Sequence, residues 1–296
     1  MSKTPSEDIN QNKTKKENIF VKNIGFFICL FIFTFFFIYF IVLKILESNP
    51  ETAAWHSMNI SQNYLRIVGT ITSFLPFSIM EISILCLVLA SITLIVFIII
   101  NFIKKKPKKA LFKIALLSTI AIGVISNYEF SVGVSYHKNN IKFNYDSVYE
   151  KSYDYEDTVS FMIDDFNETV TKLNFAQDGQ VQNPYSLNEI NEIFVDLYSK
   201  YDSNNQLYSF TPKVKHLLSS FVFREFQITG VYFGLTGESH ITRGIPNSEL
   251  PYTIAHELAH AKGDMDEYDC NAIAFDICLN SENPYLKYSA YFVNFV

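Results

Sequence analysis

Near the C-terminus the run His256-Glu257-Leu258-Ala259-His260 sets two imidazoles four residues apart with a carboxylate beside the first. On a helix that spacing puts His256 and His260 on one face, where they can converge on a single metal ion while Glu257 stands next to it without being a ligand. Zn2+ held in this way lowers the pKa of its water to about 7, and Glu257 is positioned as the base that takes the proton. The implied chemistry is hydrolysis of an amide. The flanks suit the required helix: Ile254, Ala255, Leu258 and Ala259 can bury one side, Ser248 is the expected N-cap, Pro251 fits the first turn and Gly263 the C-terminal cap.

A catalytic zinc site takes three protein ligands, so a third must lie elsewhere. Two carboxylates are near. Read as HExxHxxGxxD, the segment offers Asp266, but that metzincin-like spacing calls for a later methionine turn and no methionine follows Met265. Read as the start of a second helix, EYDCNAIAFDICL, it offers Glu267, which is the preferred ligand. Asn271, four residues on and on the same face, is placed to hydrogen-bond a ligand.

The stretches TGVYFGLTGES, ELPYTIAHELAHAKG, EYDCNAIAFDICL and KYSAY resemble an uncharacterised family of bacterial three-span membrane proteins with a C-terminal gluzincin-type metallopeptidase domain. The family pattern reads TGEAN, HELAH, EDEAN and YSGY. Here His240 replaces the Asn, Tyr268-Asp269-Cys270 replaces Asp-Glu-Ala and Ala290 replaces the Gly, and no proposed ligand is lost. The resemblance implies a membrane-anchored protease and names no substrate. By analogy with gluzincins, which hold substrate as an added strand, ESHITR is the expected sheet edge, with His240 near the metal and Tyr288 or Tyr291 donating to the oxyanion.

The elements that must carry this site follow a membrane region. Residues 24–43 and 82–103 are free of charge and long enough to cross a bilayer, and 110–128 is a third span interrupted by Lys113, whose ammonium can snorkel. The basic tail, 1–23, and the basic loop, 104–109, are expected to be cytoplasmic and next to anionic lipid, while the loop 44–81 lies outside. Three spans put the domain of residues 138–296 outside as well; two would put it inside. That domain has 11 Lys plus Arg against 23 Asp plus Glu, a balance of −12, which argues against nucleic acid as a partner. Cys270 and Cys278 fall about 12 Å apart along one helix, too far for a disulfide.

Within the domain, Val159, Met162, Phe166, Val170 and Leu173 mark one helix. Ser186 with Glu189 caps a second, carrying Ile190, Phe194, Leu197 and Tyr201, and a third is expected over 212–226. ITGVYFGL and ESHITR read as a β-hairpin. Tyr153 and Tyr155 are candidate interfacial anchors. The expected architecture is three transmembrane helices plus an α+β, mainly helical zincin-like domain with a small sheet, acting on a peptide or protein substrate near the lipid bilayer. The alternative is a membrane sensor whose zinc domain binds and signals without turnover. Oligomeric state is left open by the sequence.

Overall fold

The computed structural model describes residues 5–139, 154–205 and 210–295, and the chain divides into two compact units. The anchors expected at Tyr153 and Tyr155 fall outside the described side chains.

One unit, residues 1–45 and 84–129, is built on three helices: α1 (Pro5–Leu46), α4 (Ile79–Ile103) and α5 (Pro107–Ser131). Their segments Ile24–Leu46, Ile79–Ile103 and Pro107–Ser131 are each long and apolar enough to cross a membrane, a few residues longer than the sequence pattern alone gives. Polar atoms inside this unit bond to neighbouring backbone: Thr119 Oγ1 donates to Cys29 O (3.2 Å) and Ser126 Oγ to Phe36 O (3.1 Å). Such bonds hold helices together where the surroundings are equally apolar. The Lys113 ammonium sits 5.5 Å from the Phe112 ring centroid and 5.9 Å from that of Phe97, so aromatic faces receive the charge.

The other unit joins residues 46–83 to residues 130–296. The segment between the first two apolar helices is therefore part of the C-terminal domain. It folds as α2 (Pro50–His56), capped by Asn49 Oδ1, then a π-helical turn and α3 (Gln62–Ser73). The buried face of α3 carries Gln62, Leu65, Gly69 and Thr72. Tyr64 Oη donates to Leu235 O (2.8 Å) and Thr72 Oγ1 to Thr236 O (3.2 Å), so α3 packs along the turn between two strands.

After α6 (Tyr155–Thr171) comes α7 (Leu187–Asn205), started by the expected box: Ser186 N donates to Glu189 Oε2 and Glu189 N to Ser186 Oγ. The helix expected over 212–226 does not form. In its place stand β1 (Lys215–His216) and a short α8 (Ser220–Glu225). Asn191 takes both hydrogen bonds of Val214, and Leu217 N donates to Ile241 O, so strand pairing replaces helical bonding there.

The hairpin is β2 (Gly230–Phe233) against β3 (Glu238–Ile241), antiparallel, with Val231 opposite His240. β1 joins β3 in parallel on the other side, giving the order β1-β3-β2. β3 is thus the central strand, which corrects ESHITR as the sheet edge. α9 (Leu250–Ala261) packs against β2 and β3, and α10 (Glu267–Leu279) and α11 (Pro284–Phe295) pack against α9. Ile254, Ala255, Leu258 and Ala259 of α9 are fully buried in the core with Ile273, Ala274 and Cys278 of α10. The N-cap of α9 is Glu249, without a side-chain bond, so Ser248 does not cap it.

Candidate metal centre

α9 carries His256 and His260 on one face, with their rings 4.8 Å apart and nearly perpendicular. Its end is sharply fixed. Gly263 takes φ +94°, and Gln62 Nε2 stands where its Cβ would be, 1.2 Å away, so a side chain is excluded twice over. Gln62 Nε2 also donates to Lys262 O (3.3 Å), while Lys138 Nζ donates to Gly263 O (2.8 Å) and faces the buried Asp264 carboxylate. This turn reverses the chain into α10 and brings Glu267 over both imidazoles.

His256 Nε2 lies 3.2 Å from Glu267 Oε2, and His260 Nε2 lies 3.6 Å from Glu267 Oε1. Candidate ligand atoms of all three residues fall within 4.8 Å of one another. A tetrahedral shell with bonds of about 2.0–2.1 Å sets neighbouring ligand atoms about 3.3 Å apart, so the observed separations suit one small divalent cation. The other ring nitrogens are engaged: His256 Nδ1 pairs with Asn271 Oδ1 (2.9 Å) and His260 Nδ1 with Asp264 O (2.9 Å). With the proton on Nδ1, where an oxygen stands to accept it, each ring keeps its Nε2 lone pair on the side of Glu267. Burial, with the neighbouring His260 second, holds His256 below the usual histidine range, and the neutral ring is the form that binds metal.

Asp266 has a different task. Its Oδ1 accepts from Tyr268 N (2.9 Å) and Asp269 N (3.1 Å) as the N-cap of α10. The cluster therefore uses Glu267, and the adjacent carboxylate starts the helix that presents it.

Glu257 is buried, and its Oε2 has no hydrogen-bond partner among the described residues. Burial, and then the charge of Glu267, hold its carboxyl well above the usual carboxylate range. A buried carboxylate left without a partner is costly, and such groups concentrate where chemistry uses them. Gly230 of β2 touches it, since a Cβ there would fall 2.6 Å from Glu257 Cγ. Two residues on, Tyr232 lays its ring near-parallel to that of His260, 6.4 Å between centroids. Ser239 Oγ of β3 donates to Glu257 O (3.0 Å), tying the sheet to α9.

Two expected members are not brought to the cluster. Alternation along β3 turns His240 to the face opposite Ser239, where it is fully buried beside Glu238 and Lys215. Tyr288 packs among aromatic rings, stacked on Phe166 at 5.9 Å and edge-on to Phe175 at 5.9 Å. Tyr291 Oη donates to Asp165. Cys270 Sγ lies 3.2 Å from His260 Nδ1 and donates to Asp264 O (3.4 Å), on the far side of the ring from Glu267, and burial pushes its thiol up.

The residues missed by sequence reasoning are Gly230, Tyr232, Ser239 and the carbonyl of Asp264. A glycine inside a strand is the one local signal of close approach among them.

The chain belongs to the family described as "Protein of unknown function (DUF3810)", which matches residues 56–296. No curated protein and no solved structure matches it.

Proposed function

We propose that this DUF3810 member is a membrane-anchored, zinc-dependent metallopeptidase whose metal is held by His256, His260 and Glu267. The observation that carries the reading is the pairing of both Nδ1 atoms with fixed acceptors, which points both Nε2 atoms at one carboxylate. Bound zinc would supply a Lewis acid for the scissile carbonyl and water of pKa about 7. Glu257 takes the water's proton and passes it to the leaving amine. Its buried carboxyl, raised above the usual range, suits both halves of that task. A peptide substrate fits along β2, an edge strand among the described residues. Thr242 N donates to Thr229 O, so by antiparallel alternation the peptide groups of Gly230 and Tyr232 face away from β3, beside Glu257 and His260.

The same reading puts the domain outside the cell. Residues 46–83 and 130–296 bond to each other through Tyr64–Leu235, Gln62–Lys262 and Met80–Glu238, which favours one side of the membrane for both. Two crossings by α4 and α5 satisfy that condition, and the lysines of residues 104–109 orient their loop to the cytoplasm.

A second reading, a zinc-binding sensor, has one observation in its favour. Glu238 accepts from Ile79 N and Met80 N at the start of α4, and its neighbour Ser239 bonds the active-site helix at Glu257 O. The two separate on a quenched peptide library with the full chain in lipid nanodiscs. Zinc-dependent cleavage by wild type, lost in Glu257→Gln with metal retained, supports the peptidase. No cleavage by a zinc-loaded wild type contradicts it.

A further inference from the structure

The C-terminal unit carries an apolar surface that its own core does not explain. α3 buries Gln62, Leu65, Gly69 and Thr72 along the β2–β3 turn, while its outer side forms a stripe of Ile67, Ile71 and, just past its end, Phe74, which are 57%, 60% and 83% exposed. Around α8, Leu218, Phe221 and Phe226 are 72%, 66% and 73% exposed. Exposed aromatic and aliphatic side chains in such number mark an interaction surface.

Both segments are pinned to the start of α4. Lys213 N donates to Ser73 Oγ (3.3 Å), and Lys215 Nζ donates to Thr72 O (2.7 Å) and Phe77 O (3.0 Å). Glu81, in the first turn of α4, accepts from Leu218 N (3.0 Å) and Ser219 N (2.8 Å), which anchors the chain entering α8. Glu81 is also the last charge before the uncharged run of residues 82–103. The bilayer surface must therefore lie close to Glu81, and both apolar segments are held beside it.

We propose that Ile67, Ile71, Phe74, Leu218, Phe221 and Phe226 form an interfacial collar, seated at the headgroup–acyl boundary of the bilayer that α4 crosses. Lipid is the occupant because the patch is fixed at the level where a span begins, and because short segments carrying Phe, Leu and Ile are the kind that lie in that layer. On the hydrolytic reading above, one consequence follows for the substrate. β2 begins at Gly230, four residues after Phe226, so the chain from the collar to the start of β2, an edge strand among the described residues, is short, and the substrate it would take is a membrane-proximal polypeptide.

The test uses the full chain in nanodiscs of phosphatidylethanolamine and phosphatidylglycerol, in a Cys86→Ala background, since the other three cysteines are buried. Spin labels go on Ile71→Cys, Phe221→Cys and, as a water-facing reference on α7, Glu192→Cys. Accessibility to oxygen, which concentrates in lipid, is compared with accessibility to a water-soluble nickel chelate. The collar predicts an oxygen-to-chelate ratio at 71 and 221 at least several-fold above that at 192. Equal chelate access at all three positions overturns it. Exclusion of both reagents at 71 and 221 also overturns it, by showing protein, such as a second copy, over the patch. Ile67→Cys and Leu218→Cys report on the same two segments if either first variant fails to fold. None of these readings needs metal or turnover, so the collar and the hydrolytic site stand or fall separately.

Discussion

Gly230 lies against Glu257 so closely that a Cβ on the glycine would stand 2.6 Å from both Cγ and Oε1 of the glutamate. Its backbone is not in the left-handed region, so alanine is conformationally acceptable and the nearest obstacle is the Glu257 side chain. Gly230→Ala is expected to fold, keep its metal and displace Glu257. A shift of about 1 Å in a catalytic group costs on the order of 100-fold in rate. Metal analysis with steady-state kinetics checks this; unchanged kcat would remove Glu257 from the chemistry.

Asn271 Oδ1 pairs with His256 Nδ1, and the backbone carbonyl of Asn271, which alanine keeps, accepts from Tyr252 Oη (3.0 Å). Asn271→Ala is expected to weaken zinc binding by about 10–100-fold, the usual cost of losing such a support, with the fold retained. Competition against a chelator of known affinity measures it.

Asp266→Ala and Glu267→Ala should part company although the residues are adjacent. The first removes the N-cap of α10 and is expected to cost about 1 kcal/mol of stability while metal binding remains. The second removes the proposed ligand, a side chain that is 66% exposed, so it is expected to abolish binding with little change in apo stability. Thermal unfolding with and without zinc separates the two.

Acid should loosen the domain through Glu238. Burial pushes this carboxyl up, but Lys215 Nζ, Thr236 Oγ1 and the amides of Met80 and Ile79 together outweigh it, so its pKa lies below the usual 4.5. A depressed folded pKa contributes stability that is present above the ordinary value and is lost as pH falls below it. Glu238→Gln is expected to cost about 3–5 kcal/mol at pH 7, as breaking a buried pair does, and to flatten the decline as pH falls below about 4.5. Denaturant midpoints across that range test it.

The pairs His256/His260 and Glu267/Asn271 were legible because helical periodicity alone decides which residues share a face. The three apolar helices and the Ser186–Glu189 box were legible for similar local reasons. His240 and the sheet edge were not: strand alternation is visible, but β1, two residues long and 22 residues upstream of β3, turns β3 into the centre of the sheet. Tyr288 stacks on Phe166, and nothing local in the sequence separates a tyrosine packed in this way from one facing a cleft. The joining of residues 46–83 to the C-terminal domain rests on contacts such as Glu238 with Met80, more than 150 residues apart in the chain.

The most direct test is zinc content by elemental analysis of the full chain purified in nanodiscs, compared with His260→Ala and Glu267→Ala. One zinc per chain in wild type, lost in both variants, is the predicted result. A wild type without zinc after incubation in excess metal would contradict the account.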